Sequence, residues 1–433
     1  MSLRAYRVVK VRVMFRVYKA GDEGGIVSLL RECFNSYREW GLTVNDWFNL
    51  RSDDPGFLDS LVFVAEDDGT IAGHVQAVLK DLRVDGRCMS FGGIANVATK
   101  PSYRGRGIAS NLLRMAHDSL RNMEIHLAML YTGLRGVPHR VYRRLGYVDL
   151  ALERREVCSV KDVLDEVETY KLEFDVREVE EGDRDALLKL YNEWSKIHGG
   201  ICREKGYWSR IIGERRYYHT FFYDTRGILG FLAEREGPEG YVILAVPKLM
   251  NRGTWMRSDT AEVIDMVYCS KGAAYALLRH VAKFLERIGV KELVISSPEK
   301  LLWSSESVNG EGVLMGLLLD QTSFMESMSE VLSERLDESG LGADLKVKLE
   351  TEYGAFTLRV RGSEVKVSKD EELDDKIHMG SSEFLRMILG FRGFSEEMIE
   401  KANLISVSWR KLRTILQLMF PRSKPVIQPI DIW

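Results

Sequence analysis

The chain has 433 residues, which is too long for one ordinary hydrophobic core and predicts several domains. Hydrophobic residues make up 45% and charged residues 29%, as in water-soluble globular proteins. The 61 basic and 64 acidic residues nearly cancel, so no overall field would attract nucleic acid or an anionic membrane. No apolar run has the length of a membrane span. We expect a cytoplasmic protein whose partners include neither nucleic acid nor membrane.

The five cysteines are scattered, and no two of them form a CxxC pair. An odd number of cysteines, without the spacing typical of a metal site or a redox pair, favours free thiols in a reducing compartment. We therefore expect free thiols and no bound metal. Residues 1–14 are predicted to form a basic N-terminal arm, which lacks the apolar stretch of a secretory signal, and either Met1 or Met14 could be the start.

Two stretches of the chain share one order of elements. The first opens with a strand at Phe15–Tyr18 and a Gly-Asp turn at Gly21–Asp22, and the second with Phe174–Arg177 and Gly182–Asp183. In both, an amphipathic helix and two extended runs follow, and a strand, a long helix and another strand close the unit. This order predicts two tandem copies of one α/β fold on mixed sheets.

The two copies are assigned to residues 15–160 and 171–300. The first contains a hairpin that turns at Asp67–Gly69. In the second copy we predict that the strand Tyr218–Tyr223 pairs with Ile228–Ala233.

The remaining segment, residues 305–433, has a different order of predicted elements. Three short strands are predicted at Leu345–Glu350, Ala355–Arg361 and Glu364–Val367, and helices at Ser381, Ser395 and Trp409–Phe420. Three prolines then make an extended tail that ends in the apolar run Ile430–Trp433, which we expect to be docked.

The most specific motif is a glycine-rich loop between a strand and a helix. The strand Ile94–Ala98 ends before Pro101, and Arg104–Gly107 (RGRG) leads directly into a helix from Ile108. Glycines leave backbone N–H groups uncovered, and the helix N-terminus adds partial positive charge. With its two arginines, the loop predicts a cradle for an anion such as a pyrophosphate.

Other interpretations of this loop fit less well. An NTPase P-loop needs a Lys-Ser/Thr pair after the glycines, and the GxGxxG spacing of dinucleotide sites does not match. An isolated RGxG could also be a turn required only by backbone geometry. The strand before it and the helix after it favour the anion site.

In this context the stretch Val97–Ala109 resembles the GNAT acetyltransferases, whose signature is a strand, then R/Q-x-x-G-x-G/A, then a helix. It resembles more particularly the Eis (enhanced intracellular survival) family, over nearly the whole chain. The resemblance implies an α/β (α+β) protein with a catalytic GNAT domain, a degenerate GNAT-like domain and a sterol-carrier-protein-like domain, for 15–160, 171–300 and 305–433. In the second copy Cys269–Ala273 has one glycine and no arginine, as a degenerate copy would.

The resemblance also implies acetyl-CoA as co-substrate, without a metal, and acetyl transfer to a primary amine by direct attack on the thioester. The residues that it assigns to the cofactor are Val97, Ala98, Thr99, Arg104, Gly105, Arg106, Gly107, Ile108, Ala109 and Ser110. The turn at Val137 and Pro138 has a proline and no serine, unlike the family, so no cofactor contact is assigned there.

Acetyl transfer needs a base for the amine proton, a donor to the oxyanion and an acid for the leaving thiolate. Backbone N–H groups at the end of the strand Ile94–Thr99 are the expected oxyanion donors. The resemblance implies Tyr142 as the acid, and Tyr147 is a competitor that we expect to face the core. It implies the C-terminal carboxylate of Trp433 as the base, brought to the active site by the tail.

Several alternatives remain open. The base could instead be His126, His139 or Glu66, and Trp433 could merely cap the third domain. The acceptor could be aminoglycoside-, polyamine- or lysine-like, and acidic residues such as Asp46 could attract it.

Two further classes of function also remain open. A non-catalytic acyl-CoA-binding regulatory protein would keep the loop without transferring acetyl. A lipid carrier would use the third segment, although its apolar residues have the spacing of an ordinary core. These residues are Met379, Phe384, Met387, Ile388 and Met398. The resemblance implies a homo-oligomer, specifically a hexamer.

Overall fold

The computed structural model describes residues 13–84, 86–171, 173–203, 227–250, 257–296, 300–423 and 425–431. Three sequence-based predictions lie outside these ranges: the first twelve residues of the N-terminal arm, the strand Tyr218–Tyr223 and the residue Trp433. In the described part of the chain, no helix is both long and apolar enough to cross a membrane.

Thirteen of the described strands form one mixed sheet. In chain order they are β1 Met14–Val17, β2 Phe57–Asp67, β3 Thr70–Val84, β4 Arg87–Thr99, β5 Leu127–Gly133, β6 Val148–Ser159, β7 Asp175–Glu178, β8 Gly200–Ile201, β9 Ile228–Glu234, β10 Pro238–Ala245, β11 Thr260–Tyr268, β12 Glu292–Ile295 and β13 Glu306–Leu318. Their order across the sheet is β1-β2-β3-β4-β5-β13-β6-β12-β11-β10-β9-β7, and β8 pairs with β3.

A second, five-stranded sheet follows, in the order β16-β15-β14-β17-β18. Its strands are β14 Ala343–Thr351, β15 Gly354–Gly362, β16 Glu364–Lys369, β17 Lys376–Met379 and β18 Ile399–Asn403. The α-helices of the described ranges are α1 Glu23–Cys33, α2 Asn35–Trp40, α3 Val44–Asp53, α4 Ile108–Asn122, α5 Val137–Arg144, α6 Val160–Val167, α7 Arg184–His198, α8 Lys271–Arg287, α9 Gln321–Ser327, α10 Ser329–Glu338, α11 Ser381–Ile388 and α12 Trp409–Met419.

The large sheet contains the predicted internal repeat. In each copy a helix joins two parallel strands, α4 between β4 and β5, and α8 between β11 and β12. The first strand of each copy also carries an arginine that binds two acids. Arg16 contacts Asp22 at 2.7 Å and Glu66 at 2.6 Å. The corresponding set in the second copy is Arg177, Asp183 and Glu234. The same ion triplet at the same place supports a duplication.

The hairpin predicted around Asp68 is confirmed. Asp67 pairs with Thr70, and the two residues between them, Asp68 and Gly69, have φ of 47° and 77°. Positive φ at both central residues is the backbone of a type I′ turn, whose twist matches the flanking strands.

Strand β13 was not predicted from the sequence. It belongs to the segment assigned to the third domain, yet it lies in the large sheet between β5 and β6, where Leu314 is opposite both Tyr131 and Ala151. Its second half is an apolar run buried within the sheet, which explains the preference for a central position. The division at residue 305 stays a prediction, and this segment completes the large sheet before it enters the small one.

The small sheet packs against helices α9 to α12. The five residues considered as a lipid tunnel are all at most 1% exposed and belong to one packed core. The helix predicted at Ser395 is wrong, since only a single 3-10 turn at Glu396–Met398 precedes β18. Ser395 is followed by two glutamates, and a strand that pairs with β17 takes the next residues.

The prediction of free thiols is wrong for two of the five cysteines. Cys88 at the start of β4 and Cys202 after β8 form a disulfide with a Cα–Cα distance of 6.1 Å. They are separated by 114 residues, so spacing along the chain gave no sign of the pair. The other three, Cys33, Cys158 and Cys269, are free. The predicted cytoplasmic location therefore loses the support of an all-thiol chain.

Candidate active site

The strands β4 and β5 separate at their C-terminal ends. Their parallel pairing is restricted to Gly92 with Ala128 and Gly93 with Met129. Beyond these pairs β4 continues along β3, whereas β5 continues along β13. A cleft of about 620 Å³ lies at the end of β4, bounded by α4 and α5.

The glycine-rich loop forms one wall of this cleft. Gly105 and Gly107 have φ of 77° and 76°, and a Cβ added to either would meet nothing within 4 Å. These glycines are therefore needed for their left-handed backbone rather than for space. Arg104 donates from Nε to the carbonyl of Thr99 at 3.2 Å and borders the cleft.

The N-terminus of α4 has free hydrogen-bonding capacity. Gly107 is its N-cap and supplies no capping side chain, and the first hydrogen bond of the helix runs from the Asn111 N–H to the Gly107 carbonyl. The N–H groups of Ile108, Ala109 and Ser110 precede it and have no acceptor within the helix. They border the cleft together with the Thr99 hydroxyl, which is buried without a hydrogen-bond partner. Unpaired donors and a helix N-terminus suit an anionic ligand such as a pyrophosphate.

Nine of the ten residues predicted to bind the cofactor border this cleft. They are Val97, Ala98, Thr99, Arg104, Gly105, Gly107, Ile108, Ala109 and Ser110. The tenth, Arg106, is not among the bordering residues; it donates to the Ser102 carbonyl at 3.2 Å and lies over the Tyr103 ring.

Sequence reasoning missed part of the lining. The additional lining residues are Cys33, Phe34, Tyr103, Val137, Pro138, Val141 and Arg144. Cys33 is the last residue of α1, and its thiol donates to the Thr99 carbonyl at 3.4 Å. The two residues are 66 positions apart, so no local sequence pattern could reveal this contact. Val137 and Pro138 could have been found, because they begin α5 one turn before Tyr142.

Tyr142 lies on α5 with its side chain in the cleft and is 6% exposed. Burial raises the pKa of its phenol well above the usual value, so it stays protonated at neutral pH. Tyr147 is different, because its hydroxyl forms a 2.8 Å hydrogen bond with His117 Nε2 inside the core. The expectation that Tyr147 faces the core is therefore confirmed.

The three side chains considered as alternative bases do not border the cleft. His139 Nε2 lies 2.8 Å from Asp149, and Glu66 is paired with Arg16. His126 lies immediately before β5, and its Nδ1 is buried without a hydrogen-bond partner. Asp46 accepts hydrogen bonds from Thr43 at the start of α3.

The C-terminal tail is docked, as expected, along its described residues. The Val426 N–H donates to the His198 carbonyl, and Gln428 donates to the Met266 carbonyl on β11. Asp431 is then held at 2.6 Å by Arg203, whose side chain is fully buried. The catalytic role of Trp433, two positions further on, stays a prediction.

The guanidinium of Arg203 is surrounded by partners. It binds Asp431 on one side and Asp265 at 2.8 Å on the other, and it stacks 3.5 Å from the centre of the Tyr191 ring. A buried ion pair needs such complete pairing to offset the loss of hydration. The tail is therefore fixed to the second copy by a buried charge.

The start of the equivalent helix in the second copy differs in its capping and its surroundings within the described residues. Ser270 caps α8 by accepting from the Ala273 N–H, and a Cβ on Gly272 would meet the Phe174 ring at 3.0 Å. One of the N–H groups that α4 leaves free thus has a side-chain acceptor in α8, and the Phe174 ring lies against Gly272 in its first turn.

Comparison with known proteins gives three kinds of similarity. Residues 14–148 match the model of the acetyltransferase (GNAT) domain. The uncharacterized N-acetyltransferase YhbS of Escherichia coli K12 is 35% identical over 108 residues, which are 25% of this chain and 60% of YhbS. The chain thus spans about 60% of the length of the curated relatives that it matches.

Solved structures match along nearly the whole chain. A GCN5-related N-acetyltransferase from Anabaena variabilis has a TM-score of 0.69 at 16% identity and covers 98% of this chain and 100% of its own. One from Kribbella flavida has a TM-score of 0.68 at 15% identity, covering 98% and 99%. Eis1 from Mycobacterium abscessus has a TM-score of 0.61 at 14% identity, covering 96% and 99%. These similarities show a shared fold, and residues 14–148 are similar to the acetyltransferase (GNAT) domain.

Proposed function

We propose that the protein is an acetyl-CoA-dependent N-acetyltransferase that acts on a primary amine. The observation that carries the proposal is the cleft itself, where a protonated, buried Tyr142 lies opposite the uncapped N-terminus of α4. GNAT acetyltransferases use an acyl-CoA donor, and the groups at the start of α4 suit its pyrophosphate.

Several residues of the cleft have roles in this proposal. Arg104 and the N–H groups from Gly105 to Ser110 hold the pyrophosphate, and Thr99 offers its unpartnered hydroxyl to the pantetheine arm. When bound, acetyl-CoA supplies a thioester whose C–S bond breaks as the C–N bond to the amine forms. Tyr142 gives its phenolic proton to the departing sulfur, and the base takes the proton of the amine.

We propose the C-terminal carboxylate of Trp433 as that base. The support is the anchored tail, since Asp431 is fixed to Arg203 two positions before the terminus. A terminal carboxylate needs such an anchor, because chain ends are otherwise poorly ordered. Extension of the C-terminus by a short Gly-Ser segment is expected to lower kcat at least tenfold and to leave acetyl-CoA affinity unchanged. Unchanged kcat would exclude this base.

The remaining assignments rest on family resemblance. We propose an Eis-like enzyme with a catalytic GNAT domain over 15–160, a degenerate one over 171–300 and a sterol-carrier-protein-like domain over 305–433. A hexamer and a cytoplasmic location, where acetyl-CoA is available, complete the proposal. The full-length fold similarity to Eis1 supports the resemblance, and the disulfide weighs against a strongly reducing compartment.

The acceptor is proposed to be aminoglycoside-, polyamine- or lysine-like. A panel of these amines, assayed with acetyl-CoA by release of free thiol, tests the function. Amine-dependent thiol release supports the transferase. Tight acetyl-CoA binding without transfer to any amine would favour the acyl-CoA-binding regulatory protein instead.

A further inference from the structure

Strand β4 contains a bulge beside the cleft. Its register with β3 shifts between His74 and Gln76, where β4 has one residue more than β3. The extra residue lies at Asn96–Val97, and Asn96 has φ of 54°, a left-handed conformation that non-glycine residues rarely adopt. Something must hold Asn96 in this conformation, since asparagine tolerates it but does not require it.

His74 holds the backbone of Asn96. Its Nδ1 lies 2.9 Å from the Asn96 carbonyl oxygen. A carbonyl only accepts, so the hydrogen atom is on Nδ1 and the ring is the Nδ1–H tautomer. His74 is fully buried, its Nε2 has no hydrogen-bond partner, and burial lowers the pKa of the ring to about 4. The ring is therefore neutral at physiological pH and makes this one hydrogen bond.

The side chain of Asn96 is held as well. The buried Tyr37 hydroxyl donates to Asn96 Oδ1 at 2.6 Å, and Asn96 Nδ2 lies 3.4 Å from Gln76 Oε1. These contacts come from α2 and β3, on both sides of the bulge. They restrain the residue that the His74 hydrogen bond orients.

The consequence concerns the next peptide N–H. The described peptide bonds are all trans, so the N–H of Val97 points opposite to the Asn96 carbonyl in the same peptide plane. The carbonyl is directed at His74, and Val97 borders the cleft. The peptide that His74 fixes is therefore the one that presents a donor at the cleft.

We propose that His74 is a positioning residue whose Nδ1–H fixes the Asn96–Val97 peptide and thereby aims the Val97 N–H at the oxyanion of the acetyl group. This inference rests on the proposed acetyltransferase function. It assigns a role to His74, which is buried and does not border the cleft. An oxyanion donor accelerates the reaction only when its orientation is set in advance.

Three variants separate the hydrogen bond from the packing. His74→Asn keeps an amide N–H at the place of Nδ1, His74→Gln carries the amide beyond it, and His74→Leu has no donor. Steady-state kcat, acetyl-CoA affinity by calorimetry, melting temperature and a crystal structure of each ligand-free variant are measured.

We expect kcat to fall about 100-fold in His74→Leu and His74→Gln and less than tenfold in His74→Asn, with acetyl-CoA Kd within threefold of wild type in all. The crystal structures of the two impaired variants should show a rotated Asn96–Val97 peptide. If His74→Leu does not fold, the Asn and Gln variants give the same comparison, because both are polar amides.

Equal loss of kcat in His74→Asn and His74→Gln, or full activity in His74→Gln, would overturn the proposal. An unchanged peptide in an impaired variant would overturn it too. If wild-type protein itself transfers no acetyl, the proposed function fails, and the peptide orientation in the crystal structures still decides whether His74 fixes the bulge.

Discussion

The starts of helices α4 and α8 are equivalent positions in two copies of one fold, and they differ in their capping and in the space around the first turn. Before α4, two left-handed glycines and Arg104 border an open cleft, and Gly107 gives no side-chain cap. Before α8, Ser270 caps the helix and the Phe174 ring covers Gly272.

Under the proposed function, this difference separates a helix start that binds an anion from one that does not, on the same fold. The ion triplets around Arg16 and Arg177 remain the same in both copies, because they stabilise the strands and loops of the fold itself. The Ser270 cap accepts from the Ala273 N–H, which an anion would otherwise compete for, and it stabilises the helix without a ligand. The second copy thus provides an internal control for the residues at the start of α4.

The largest effect is expected from Tyr142→Phe, because it removes the proposed acid and keeps the ring. We expect kcat to fall about 100- to 10,000-fold, with acetyl-CoA affinity within threefold of wild type. Thiol release under saturating substrates measures it. Tyr147→Phe is the matched control, since it loses a core hydrogen bond to His117, and its kcat should stay within threefold. Equal kcat in the two variants would exclude Tyr142 as the acid.

Arg104→Ala should weaken acetyl-CoA binding by about 10- to 100-fold, because a charge-assisted hydrogen bond to phosphate contributes about 1.5–3 kcal/mol. Arg235→Ala is the control in the second copy, where Arg235 lies over Phe174 and pairs with Glu239. Calorimetry should show unchanged affinity in the control. A similar loss in both variants would mean that the second copy also binds the donor.

The two helices also carry a histidine at the same place, His117 in α4 and His280 in α8. Burial lowers the pKa of both, to about 4 for His117. Below about pH 6.5 the unfolded chain therefore binds protons at these histidines that the folded chain does not bind. Their neutral burial costs no free energy of unfolding above that pH, and the free energy of unfolding decreases as the pH falls toward 4.

For His117 the loss is about 2 kcal/mol between pH 7 and pH 5. Urea unfolding at the two pH values measures it in wild type, His117→Gln and His280→Gln. The pH dependence should shrink more in His117→Gln than in His280→Gln. The reverse order would contradict the assignment of burial as the cause.

The smallest effect concerns the cap of α8. Ser270→Ala should lower the free energy of unfolding by about 1 kcal/mol, the usual contribution of an N-cap. It should not create acetyl-CoA binding, because Phe174 still covers Gly272. Denaturant unfolding measures the change in stability, and calorimetry tests for acetyl-CoA binding. Binding at a second site in this variant would show that the Ser270 cap alone prevents the second copy from binding acetyl-CoA.

Local patterns predicted much of this molecule. The loop Arg104–Gly107, the helix after it and the turn at Asp68 follow from residues that are neighbours in sequence. The repeat followed from the order of elements, and nine of ten cofactor residues border one cleft because the motif is contiguous.

Long-range features could not be predicted in this way. Strand β13 pairs with β5, about 180 to 190 positions earlier, and an apolar run does not show which strands it will join. The Cys88–Cys202 disulfide joins β4 to the residue after β8, 114 positions along the chain. The contact of His74 with the Asn96 carbonyl depends on a bulge, which a one-residue change of register produces without any strong sequence signal.

In the proposed function, one of the two copies binds the donor, at the N-terminus of α4. Titration of the wild-type chain with acetyl-CoA by calorimetry tests it most directly, with Arg104→Ala alongside. We expect one site per chain and binding that is about 10- to 100-fold weaker in the variant. Two sites per chain, or one site whose affinity Arg104→Ala leaves unchanged, would contradict it.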